Sequence, residues 1–132
     1  MFTLNGIREA HSKVKSGADY PAYVQEIIKM GVAGYETHVK DGKTVYFGTN
    51  NYRMESGPKY DQLIINNEPD AETFKKDLKL HQDGKTNFTT FCNDAARSGV
   101  EKWVVNLNHM SCTYLDNNGN VLVVESIPTG NK

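Results

Sequence analysis

The sequence predicts an α+β single domain: one antiparallel sheet with helices on one face, built from an internally duplicated unit of two helices and a three-stranded meander. Three observations lead there. Helix-period patterns give way to alternating patterns, and this happens twice along the chain. Slid against itself by 68 residues, the chain stays in register without a gap from Asp19 on Asn87 to Met54 on Leu122. Finally, a three-stranded meander alone lacks cover, whereas two meanders sharing one sheet beneath four helices bury a single core.

The offset pairs residues by role more than by letter. Gly31-Val32 lands on Gly99-Val100, Tyr46 on Tyr114 and Asn50 on Asn118, while Tyr23 meets Phe91, Tyr35 meets Trp103 and Val39 meets Leu107. The copies are expected over about 1–57 and 69–127. In the first, Leu4, Ile7, Ala10 or His11, and Val14 share a helix face, and Gly17 ends that helix. The counterpart follows Asp70 as N-cap, carries Ala71, Phe74, Leu78 and His81, and ends at Gly84. The second helix starts at Asp19, with Pro21 tolerated in its first turn, and buries Tyr20, Tyr23, Val24, Ile27 and Ile28. Its counterpart starts at Asn87 and presents Phe88, Phe91, Cys92, Ala95 and Ala96. Gly31 and Gly99 supply the left-handed C-terminal turn.

The strands come next. Tyr35, Thr37 and Val39 alternate with Glu36, His38 and Lys40. Asp41-Gly42 signals a two-residue hairpin into a second strand over 43–48. Thr49-Asn50-Asn51 turns the chain into a third over 52–56. The second copy repeats this over 101–107, 110–115 and 120–127, with Asn117-Asn118-Gly119 as its second turn. Leu63-Ile64-Ile65, within 60–66, suggests one extra strand joining the copies, so six or seven strands are expected. The tail from Pro128 to Lys132 is expected to fray.

Composition excludes several classes of function. The 132 residues carry 15 basic and 16 acidic groups, so no global field draws in nucleic acid or an anionic membrane. The balance holds in each half, with 8 basic and 7 acidic groups in 1–66 and 7 and 9 in 67–132. The longest aliphatic run, Val121 to Val124, is far short of a span. No apolar leader core stands between Met1 and Lys15, so a cytoplasmic location is expected. Two cysteines, Cys92 and Cys112, do not make a disulfide framework.

Several blocks also carry a resemblance: Ser16-Gly17-Ala18-Asp19-Tyr20-Pro21-Ala22-Tyr23, Val39-Lys40-Asp41-Gly42, His81-Gln82-Asp83-Gly84-Lys85-Thr86 running into Thr90-Phe91-Cys92, and Gly99-Val100-Glu101-Lys102-Trp103-Val104-Val105. In this order they resemble the bacterial family catalogued as domain of unknown function 1398, whose members often carry the label "phage envelope protein". The resemblance runs from about Ile7 to Ile127. It implies a small bacterial or prophage-derived protein and transfers no catalytic residues.

The residues offer few chemical candidates. Cys92 lies one turn inside a helix N-terminus, where the dipole can lower a thiol pKa. It also occupies the place of Val24, which reads as a buried small hydrophobe. Cys112 aligns with Thr44 and alternates onto one face with Tyr114. His81 at a helix end suits a cation or a cap, and His109 is three residues from Cys112 but across a strand's alternation. No spacing calls for a metal or a cofactor. Asp116-Asn117-Asn118-Gly119-Asn120 falls short of a calcium loop, because its glycine comes early and Ile127 stands where a glutamate is needed. Tyr35, Tyr46, Trp103 and Tyr114 lie on strands and form a binding platform if they share the uncovered face; burial beneath the helices is the competing expectation. On that face the first copy offers Glu36, His38, Lys40, Arg53 and Glu55, and the second offers Val104, Val121 and Val123. Two readings follow. One is a non-catalytic binding or regulatory module for an unknown protein or small molecule, with a homodimer through the apolar patch as the simplest outcome. The other is a small enzyme whose Cys92, Cys112, His81 and His109 converge in a cleft between the copies.

Overall fold

The structure, a computed structural model, describes residues 2–14 and 19–127. Its elements run α1 (Leu4–His11), α2 (Tyr20–Met30), β1 (Gly34–His38), β2 (Thr44–Phe47), β3 (Arg53–Glu55), α3 (Ala71–Gln82), α4 (Phe88–Arg97), β4 (Lys102–Asn106), β5 (Ser111–Leu115) and β6 (Val121–Ser126). The α+β class read from the sequence is the class of the fold. Gly17, expected to end the first helix, and the tail after Ile127 lie outside the described residues.

Local chemistry sets the helix ends. The side chains of Thr3, Asp70 and Asn87 accept hydrogen bonds from the backbone N–H groups of Gly6, Thr73 and Thr90, at 3.0, 3.1 and 2.8 Å. Pro21 sits in the first turn of α2, where its missing N–H costs no intrahelical bond. Gly31 and Gly99 adopt φ of 105° and 85°. The amides of Val32 and Val100 then reach back to the carbonyls of Ile27 and Ala95, at 3.0 and 2.9 Å, closing the two helices alike.

The six strands form one antiparallel sheet in the order β3-β2-β1-β4-β5-β6. β1 and β4 meet at the centre, and each half contributes three strands to one side. Register repeats across the halves: Tyr35 opposes Tyr46 as Trp103 opposes Tyr114, and Thr37 opposes Thr44 as Val105 opposes Cys112. The core lies between the helices and one sheet face. Val24, Ile27, Val39, Phe74, Cys92, Val100 and Val105 are its largest fully buried side chains.

Three expectations need correction. The Asp41-Gly42 hairpin is a four-residue loop, not a two-residue one. The His38 amide bonds the Lys43 carbonyl at 2.9 Å, and Gly42 closes the loop by donating to His38 O at 2.8 Å. Glycine with φ 78° is therefore the fourth loop residue. Its counterpart Met110 adopts φ 51° with a full side chain, in the left-handed region that glycine enters at least steric cost. Second, residues 60–66 form no strand, so the sheet has six strands among the described residues. The linker instead crosses the sheet's end, pairing with neither edge strand. There Lys59 N donates to Asp41 O at 2.7 Å, Leu63 N to Lys40 O at 2.6 Å and Asn66 N to Ala96 O at 2.9 Å. Third, β6 carries a bulge: Tyr114 pairs with Val123 but Leu115 pairs with Val121, leaving Leu122 as the extra residue.

Candidate functional site

The two cysteines are buried in the core. Cys92, on α4, is fully buried, and burial pushes its thiol up to about 11. Its polar neighbours come from the linker: the Tyr60 hydroxyl and the Lys59 ammonium. Tyr60 donates its own proton to Val39 O at 2.5 Å, and Lys59 donates to Gly42 O at 3.0 Å. Cys112, on β5, is buried too, and burial pushes it up to about 12, with Tyr114 and Glu125 beside it. Neither thiol has a histidine among the groups that act on it. Both are poor nucleophiles at neutral pH, because a thiol in this environment stays protonated.

His81, expected at the end of α3 as a cation or a cap, is half-buried there. Its ring stacks on Phe91 with centroids 4.4 Å apart and planes 9° from parallel, and Nδ1 lies 3.1 Å from Thr86 O. Burial lowers its pKa and favours the neutral ring. His109 is exposed in the β4–β5 loop, where its backbone N–H bonds Asn106 Oδ1 at 3.1 Å. His109 thus stands exposed, whereas Cys92 and Cys112 are buried with no histidine acting on either thiol. No group of three or more metal-competent side chains gathers among the described residues.

The aromatic platform is not on the uncovered face either. Tyr35, Trp103 and Tyr114 are buried and Tyr46 is half-buried, all packed in or against the core. Tyr35 and Tyr46 meet at 5.6 Å between ring centroids and Trp103 and Tyr114 at 5.9 Å, while Phe74 reaches Tyr114 at 5.0 Å from α3. Their period-2 spacing placed them together on one face; the helices claimed that face because aromatic burial dominates core energetics.

The other face, left open by the helices, is divided. One cross-strand row runs Glu55, Val45, Glu36, Val104, Thr113, Val124. Its first half is overlaid by charge. Glu55 pairs with Lys43 at 2.8 Å and Arg53 at 2.7 Å, and Glu36 with Lys102 at 3.4 Å. His38 stands 3.9 Å from Glu36 and 3.7 Å from Glu101. Flanked by Glu36 and Glu55, Val45 is only 4% exposed. The second half has no such cover: Val121 and Val124 are 57% and 61% exposed. Val104, Thr113 and Leu115 are half-buried beside them.

One apolar residue changes sides from expectation. Val123 opposes Tyr114 and packs against the core, while Val124 opposes Thr113 on the open face. The bulge at Leu122 shifts the alternation by one residue, so Val121 and Val124, three apart, point the same way. Nothing in Val121-Leu122-Val123-Val124 marks that shift in sequence. Lys59 and Tyr60, which cover Cys92, were also missed, since they lie between the copies and have no counterpart in the offset.

A family model described as a protein of unknown function, DUF1398, matches residues 8–126. A search of curated proteins finds no match.

Proposed function

The chain belongs to the DUF1398 family, and from that premise we propose that it acts by binding, through the apolar half of its open sheet face, rather than by turnover. The observation that carries this reading is the exposure of Val121 and Val124 beside Val104, Thr113 and Leu115, where the equivalent surface of the other half is laid over with ion pairs. Large aliphatic side chains grouped on an otherwise charged surface favour a partner that removes them from water.

Size narrows the partner. Three strands about 4.8 Å apart and about five residues long present roughly 250 Å². A standard protein interface takes about 800 Å² per partner. The patch alone therefore suits a reversible, low-affinity contact with a second copy or a small molecule. Free Cys92 and Cys112 suit a reducing cytoplasm. Balanced charge gives no footing for nucleic acid, and no helix among the described residues is long and apolar enough to cross a membrane. The Cys/His enzyme gains no support from thiols held protonated beneath the helices.

Sedimentation across a concentration series tests the reading. The wild type is expected to dimerise weakly as concentration rises. Val124→Lys is expected to stay monomeric, with stability within about 0.5 kcal/mol of wild type because the site is exposed. A wild type that is monomeric throughout removes the second copy as partner. A thermal-shift screen of metabolites with no compound raising the midpoint then removes the small-molecule class.

A further inference from the structure

The central seam of the sheet has a property the other ladders lack. Its register is Gly34–Asn106, Tyr35–Val105, Glu36–Val104, Thr37–Trp103 and His38–Lys102. Under the 68-residue offset Tyr35 corresponds to Trp103, Glu36 to Val104 and Thr37 to Val105. The pair Tyr35–Val105 is thereby carried onto Thr37–Trp103, and Glu36–Val104 onto itself. The flanking bonds obey the same exchange: Val39 N donates to Glu101 O and Leu107 N to Ala33 O, both at 3.0 Å. A register that maps onto itself is the signature of an isologous interface, where one patch meets its own copy about a two-fold axis. The helices agree, since α1 packs with α2 and α3 with α4, each pair within one half.

We infer that the two halves are copies of one self-pairing unit closed within a single chain, and that Glu36 makes β1 pair with β4 rather than with β1 of a second copy. Alternation from the flanking bonded pairs makes Glu36–Val104 a non-hydrogen-bonded pair, where opposed side chains stand closest. In the native seam Glu36 faces an apolar residue and has Lys102 Nζ 3.4 Å from its carboxylate. A β1–β1 seam in the same register puts Glu36 opposite Glu36. It also removes Lys102, because the corresponding position in the first half is Gly34. Like charges directly opposed weaken a ladder. A β4–β4 seam puts Val104 opposite Val104, with no charge to repel. The second half thus retains a surface that fits a second copy of itself, and the first half is barred by one carboxylate.

The test uses the whole chain with a protease site introduced at Gly57-Pro58 and cut after folding, so that both halves are present. After brief unfolding and refolding, native mass spectrometry reads which halves pair. Expected are mixed pairs and pairs of second halves, with pairs of first halves at least about fivefold rarer than the latter, the scale of one cross-strand pair. Glu36→Val is expected to raise pairs of first halves about fivefold, and Glu36→Gln to fall between. Mixed pairs alone in wild type and Glu36→Val, or no pairs of any kind, overturn the self-pairing seam. Pairs of first halves as abundant as pairs of second halves in wild type overturn the role of Glu36. The uncut Glu36→Val chain gives a second reading: refolded at high concentration, it should yield more dimer than wild type. That dimer should persist on dilution, unlike a reversible contact through the open face. An unchanged monomer fraction counts against Glu36.

Discussion

On the first half of the open sheet face, Val45 is shielded between Glu36 and Glu55, whose carboxylates are held by Lys102, Lys43 and Arg53. On the second half, Val121 and Val124 stand in water. The strands beneath are laid out alike, with the same order, the same register through the central four strands and the same glycine-closed helices. The difference teaches that the architecture does not require the apolar patch. A matched strand order and central register tolerate a charged surface on the same sheet face, so the exposed valines follow from what the second half alone has: the apolar residues of β6 and the bulge at Leu122 that turns Val124 outward.

The sharpest way to probe that comparison is to perturb matched positions. Phe74 and Ile7 occupy equivalent places on α3 and α1, and both are buried. Phe74→Ala removes a ring that touches both Phe91 and Tyr114 and is expected to cost about 3–5 kcal/mol, with Ile7→Ala at about 2–4 kcal/mol. Urea denaturation reads both, and equal costs would mean the halves share the core evenly. Next are the two glycines. Gly31→Ala meets open space and carries only the left-handed penalty of about 1–2 kcal/mol. At Gly99 a Cβ would lie 2.7 Å from Pro69 Cα and 3.1 Å from Asn66 O, backbone that the linker holds in place. Gly99→Ala should therefore cost a further 1–3 kcal/mol, roughly, for overpacking. If the two alanine variants melt together, the linker is not seated where the structure puts it.

Smaller effects follow. Cys92→Val copies the residue found at Val24 and is expected to cost under about 1.5 kcal/mol. Thiol reagents should label wild-type Cys92 slowly at neutral pH, and rapid labelling would return it to the list of reactive groups. The smallest effect is in pH. His81 has its pKa lowered from 6.5, by burial, so the folded state disfavours its proton. The stability tied to its neutral ring is present above pH 6.5 and is lost as pH falls through that value towards the folded pKa. His81→Gln is expected to give a shallower loss of melting temperature between about pH 7 and pH 5. Some slope should remain, because burial and Lys59 lower the pKa of His11 as well. An unchanged slope would place the acid sensitivity elsewhere.

What the sequence determined by itself is the part encoded within a few residues of chain. Asp70 and Asn87 cap their helices, Pro21 fits a first turn, Gly31 and Gly99 take positive φ, and period-2 alternation marks the β1 and β4 strands, because each of these rests on a local steric or hydrogen-bonding demand. The change from helical to alternating periodicity, repeated along the chain, added the α+β class. Tertiary structure decided everything that depends on a neighbour distant in sequence. Whether residues 60–66 pair as a strand depends on where the linker runs, and the amides of Lys59, Leu63 and Asn66 bond the carbonyls of Asp41, Lys40 and Ala96 at the sheet's end rather than an edge strand. Whether Tyr35, Tyr46, Trp103 and Tyr114 form a surface or a core depends on which face the helices cover. Whether Val123 or Val124 meets water turns on one bulge against β5, since side chains alternate and a single inserted residue exchanges the two faces of a strand.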